Sequence, residues 1–73
     1  MSVILKVKSS QIKAIEFREK DDALRVYFQN GRIYDYAPFT KDRFDEFFNA
    51  DSIGSYFHKN IKSDKTLITK RLK

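Results

Sequence analysis

Ala23-Leu24-Arg25-Val26-Tyr27-Phe28-Gln29-Asn30-Gly31-Arg32-Ile33-Tyr34-Asp35-Tyr36 is the stretch that decides the fold. Two runs of β-branched and aromatic residues flank Asn30-Gly31, a pair that accepts φ > 0 at low cost, so the segment reads as a β-hairpin. A two-residue loop would set Val26 opposite Asp35 and turn a carboxylate toward the apolar face of Leu24, Val26 and Phe28, which is costly. A three-residue loop, Gln29-Asn30-Gly31, closed by a glycine bulge, is preferred. It sets Val26 against Tyr34 and Leu24 against Tyr36 on one face, with Arg25 against Asp35 and Tyr27 against Ile33 on the other. A one-residue slip would exchange the two faces.

Outward from the hairpin, Met1 to Lys8 alternates well enough for an edge strand, with Val3, Leu5 and Val7 on one side and Lys6 and Lys8 on the other. Ser9-Ser10 marks a bend, since no candidate base accompanies it for nucleophilic chemistry. Gln11 to Arg18 is a second strand with Ile15 and Phe17 toward the core and Glu16 and Arg18 outward; Ile12 and Ala14 fall on the other parity and leave its start open. Glu19 to Asp22 is a polar turn without the spaced oxygen ligands of a calcium loop.

After the hairpin, Ala37-Pro38 ends the strand. Thr40 is placed to cap a helix over about Lys41 to Asn49, with Phe39 and Phe44 as a hydrophobic staple and Phe44, Phe47 and Phe48 as its apolar stripe. Asp51 or Ser52 caps a second helix over roughly Ile53 to Asn60, whose apolar face is Ile53, Tyr56, Phe57 and the following Ile61. Gly54 in its first turn permits either close packing or approach of a phosphate to backbone N–H groups. Leu67, Ile68 and Leu72 are too few for an independent element, so Thr66 to Thr69 is expected either to pair as a short edge strand or to dock on the body. The expected architecture is α+β: a small antiparallel sheet of three to four strands against two short C-terminal helices.

Seventy-three residues make one domain of marginal size, with no cysteine for disulfides or thiolate metal sites. The N-terminal apolar run is too short for a signal peptide or a membrane span, so a cytoplasmic protein is expected. The net charge of +5 is unevenly placed. Residues 1–57 carry nine basic and nine acidic side chains, whereas the last sixteen carry Lys59, Lys62, Lys65, Lys70, Arg71 and Lys73 against Asp64 alone. This divides the chain into a domain of residues 1–62 and a basic tail of residues 63–73, the charge pattern of a contact to a polyanion or simply of a solvated end. Catalysis is not expected: His58 is the only histidine, and there is no Ser/His/acid pattern and no glycine-rich phosphate loop. No metal or cofactor is expected either.

The order Ser9-Ser10, Ile12, Ile15, Leu24-x-Val26-x-Phe28, Asn30-Gly31, Tyr34-x-Tyr36, Pro38, Phe47, Ala50-x-Ser52-x-Gly54-x-Tyr56-Phe57 and Ile61 resembles the KTSC domain over roughly residues 7–62. That small domain occurs at the C-terminus of some lysyl-tRNA synthetases and as a stand-alone protein of bacteria and their phages. Glu16-Phe17 stands where the family has Gly-Tyr, Ala37 where it has valine, and Lys62 where it has arginine. The resemblance implies an α+β fold, RNA binding as a proposed role and no established enzymatic activity, with Gly54 and Lys62 at matching positions suited to phosphate contact. For this chain the expected nucleic-acid contacts are Gly54, Lys59, Lys62, Lys65, Lys70 and Arg71. The alternative is a phage or mobile-element protein acting in the host cytoplasm. It would bind an acidic host protein surface through Arg25, Tyr27 and Ile33 on the outer sheet face, or through the tail.

Overall fold

In the computed structural model, which describes residues 3–73, five strands form one antiparallel meander in sequence order. The strands are β1 (Ile4–Lys6), β2 (Ile12–Arg18), β3 (Ala23–Phe28), β4 (Ile33–Ala37) and β5 (Ile68–Arg71). Helices α1 (Lys41–Phe48) and α2 (Ile53–Tyr56) lie between β4 and β5, and α2 runs on as a wider π-helical segment, Phe57–Lys62. Met1 and Ser2, where the first strand candidate begins, lie outside the described residues.

The β3–β4 pairing has the register of the three-residue loop: Leu24 faces Tyr36, Arg25 faces Asp35, Val26 faces Tyr34 and Tyr27 faces Ile33. Phe28 N–H donates to the Arg32 carbonyl at 2.9 Å and Gly31 N–H to the Phe28 carbonyl at 3.0 Å, so the chain reverses through Gln29, Asn30 and Gly31. Gly31 has φ +89° with open space where a Cβ would sit. The cost of a side chain there is therefore conformational. Gly31→Ala is expected to lose about 1–2 kcal/mol, read as a lower melting temperature with no change in the folded-state spectrum.

A bulge resolves the start of β2. Ile12 pairs with Phe28 and Ala14 with Tyr27, the register shifting between them. The extra residue, Lys13, lets Ile12 share the core face with Ile15 while Ala14 takes the outer face. Both isoleucines are fully buried.

Both helices pack on the face that carries Ile15, Leu24, Val26 and Tyr36, where Phe39, Phe44, Phe47, Ile53, Phe57, Ile61 and Leu67 complete the core. Thr40 caps α1 by accepting from Arg43 N–H at 3.1 Å, and Ser52 caps α2 by accepting from Ser55 N–H at 3.3 Å. Phe48 departs from the expected stripe. It ends α1 at 40% exposure, while Phe47 is fully buried and stacks on Tyr56 at 5.3 Å.

The sheet has five strands rather than three to four, and the added one comes from the segment set apart as a basic tail. β5 pairs with β4, placing Tyr34 opposite Arg71, Asp35 opposite Lys70, Tyr36 opposite Thr69 and Ala37 opposite Ile68. A turn built on Asp64 brings it there: the Asp64 carboxylate accepts from Thr66 N–H at 2.9 Å and from Arg43 at 3.1 Å. Leu67 then anchors in the core. Of the two alternatives for Thr66 to Thr69 the structure takes the edge strand, shifted to Ile68–Arg71; its four residues are all exposed, so hydrophobic periodicity does not fix its bounds.

Candidate nucleic-acid interface

At the hairpin end of the sheet, on the helix side, the turn and the π-helical segment enclose a groove of about 510 Å³. Its floor is aromatic: Phe28, Tyr34, Tyr36 and Phe57. Phe28 meets Tyr34 edge to face at 5.7 Å and Phe57 at 5.6 Å, and Tyr36 meets Phe57 at 5.5 Å, so each ring is held by its neighbours. Tyr34 and Tyr36 lie nearly parallel, 18° apart, with centroids at 6.4 Å.

Three amides and a histidine form the rim. His58 Nε2–H donates to Gln11 Oε1 at 2.7 Å, Gln29 Nε2–H to the Ser9 carbonyl at 3.3 Å, and Arg32 N–H to Asn30 Oδ1 at 3.0 Å. Two cations, Arg32 and Lys62, line the groove, and no carboxylate does. The π-helical segment buries Phe57 and Ile61 and leaves the adjacent His58 and Lys62 exposed, and Phe57, His58 and Lys62 all reach the groove. Arg71 shares the groove's side of the sheet, being directly opposite Tyr34.

Burial sets the chemistry of the floor. It pushes the Tyr36 phenol from its ordinary value near 10 up to about 12, with the neighbouring Tyr34 adding to the effect. A raised phenol means that the unfolded chain loses its proton first, so this contribution to stability is full below about pH 10 and is lost as pH rises toward 12. The melting temperature is expected to fall over that window and to fall less steeply in Tyr36→Phe, as a thermal scan from pH 9 to 12 would read.

The expected contact residues are not gathered in one patch. Lys62 lines the groove and Arg71 flanks it. Lys70 faces Asp35 on the opposite side of the sheet, and Lys59 and Lys65 are exposed outside the groove lining. Gly54 sits in a neighbouring depression with Ser9, Ser52, Ser55 and His58. A Cβ on Gly54 would lie 3.7 Å from Ser9 Oγ, an ordinary contact, so close packing does not require the glycine. Gly54→Ala should therefore be tolerated or stabilise by up to about 1 kcal/mol in a denaturant titration.

On the outer face, Arg25 and Tyr27 are engaged within the sheet. Arg25 Nε and Nη2 reach the two Asp35 oxygens at 2.8 and 3.0 Å, a bidentate bond that keeps the guanidinium protonated. Tyr27 OH donates to Glu16 Oε1 at 2.6 Å, and Arg18 donates to Glu16 Oε2 at 3.3 Å. Glu16 is 5% exposed although no helix covers this face, because these side chains lie over it. Ile33 is half-buried beside them.

The meander with two helices on one face and a groove at its hairpin end defines a small α+β module. The chain belongs to the KTSC domain family, whose model matches residues 8–64. It is 39% identical over 59 residues, 81% of its length, to a lysine–tRNA ligase of Nostoc sp., and it spans 10% of that ligase. A crystal structure of a KTSC domain protein from Yersinia pestis matches it with a TM-score of 0.87 over 100% of both chains at 23% identity. That likeness extends through β5, beyond the residues the family model matches. No helix among the described residues is long and apolar enough to cross a membrane.

Sequence reasoning reached Lys62 and Arg71 but not Arg32, Tyr34 or the three amides. One signal was present. Tyr34 has core parity yet lies near the end of its strand, where the helices do not fully cover it and leave it half-buried.

Proposed function

We propose that this chain is a small non-catalytic module that binds RNA in the cytoplasm through the aromatic groove and its basic margin. The observation that carries the reading is that Arg32 and Lys62 share one groove lining with four aromatic residues, of which Phe28 and Tyr34 are partly exposed, and with no carboxylate. An aromatic floor with cations at its edge suits unpaired bases and their phosphates. The lysine–tRNA ligase of Nostoc sp. acts on a tRNA, and a stretch of it resembles this chain. Arg71 extends the basic margin along β5, while Lys59, Lys65 and Lys70 raise the positive potential that draws a polyanion toward the domain.

Fluorescence anisotropy with a labelled RNA across salt tests this. Two or three phosphate contacts on a single strand give a slope of about −1.4 to −2 in log affinity against log salt. Truncation after Lys62 would remove β5 and Leu67 together with the charge, so point substitutions are the cleaner probe. Absence of binding even at low salt would sink the reading and turn attention to a protein partner at the outer sheet face.

A further inference from the structure

Each of the three rim amides is anchored by one end. Gln11 uses its oxygen on His58, Gln29 its nitrogen on the Ser9 carbonyl, and Asn30 its oxygen on the Arg32 N–H. The opposite ends, the NH2 groups of Gln11 and Asn30 and the oxygen of Gln29, make no side-chain bond within the described residues and belong to groups that line the groove. A held rim that offers two donors and one acceptor is matched by the edge of a nucleobase, which carries both kinds of group. A bare phosphate, which has no donor, would have no use for the acceptor.

We infer that the groove seats one unstacked nucleobase, its face against Tyr34, its edge on Gln11, Gln29 and Asn30, and its phosphate held by Arg32 and Lys62. This rests on the RNA-binding reading and narrows it: the module takes single strands or loops rather than duplex. In a duplex the base faces are stacked on one another and the edges paired, so neither the floor nor the rim could be used. The volume is within the range of a small-ligand site and too small to admit a helix.

The test compares three labelled probes of equal length at equal salt: a single-stranded RNA, the corresponding blunt duplex, and an abasic strand with the same phosphates. The native domain is expected to bind the single strand at least about tenfold tighter than either other probe, the scale of one stacked base. Tyr34→Leu should lose about tenfold on the single strand and leave the abasic strand unchanged. Gln11→Ala, at an exposed position whose loss does not touch the core, should move the same way to a smaller extent and guards against misfolding of the tyrosine variant. Equal binding of all three probes by the native domain would overturn the base site while leaving RNA binding by charge intact. Unchanged single-strand affinity in both variants would overturn it as well. Failure of every probe would overturn the RNA-binding reading itself.

Discussion

Arg32→Glu combined with Lys62→Glu is expected to weaken RNA binding by about a hundredfold or more while the domain stays folded. Each side chain lines the groove, both are exposed, and among the described residues neither is tied to a carboxylate. A charge-assisted contact contributes roughly 1.5–3 kcal/mol, and two lost contacts at the lower bound already exceed the 2.8 kcal/mol that separates affinities a hundredfold apart. Reversal adds repulsion of the phosphate. The same double change at Lys59 and Lys65, outside the groove, serves as the control, since it alters net charge equally. Anisotropy at about 50 and 200 mM salt distinguishes the two cases. Equal losses in both pairs would mean that only net charge matters and that the groove is not the contact.

Phe47→Ala is expected to cost about 3–5 kcal/mol, the usual range for truncating a fully buried aromatic. Phe47 is fully buried and stacked on Tyr56, whose hydroxyl in turn donates to Glu46 at 3.0 Å, so it joins α1 to α2. A domain of this length has about 4–11 kcal/mol in total. The variant should therefore melt at least about 12 °C lower, or fail to fold near 37 °C. Phe48→Ala, one residue on but 40% exposed, should change stability by well under half as much. The apolar stripe alone ranks the two alike, so similar melting temperatures would contradict this packing.

The groove depends on the same core. Tyr36 and Phe57 belong both to it and to the groove floor. A core variant that loosens α2 is thus expected to lose RNA binding along with stability, which is why the charge variants, whose side chains point outward, are the sharper functional probe.

What the amino-acid order determined by itself is local. Asn30-Gly31 between two β-rich runs and the cost of turning Asp35 inward were enough for the β3–β4 register. Thr40 and Ser52 marked the starts of the two helices, since a cap needs only a hydroxyl three residues before the N–H it accepts. Tertiary structure decided what depends on distant partners. β5 carries no buried residue and owes its place to the unpaired edge of β4, to Leu67 in the core and to the Asp64 turn held by Arg43. The bulge at Lys13 exists because two isoleucines of opposite parity both gain by burial. The candidate site is the extreme case, because Gln11, Arg32 and Lys62 come from three separate segments and meet only when the hairpin closes under the π-helical turn. Local pattern reports which face of an element is apolar; which polar ends converge on one space is set by how the faces pack, and that information is not local.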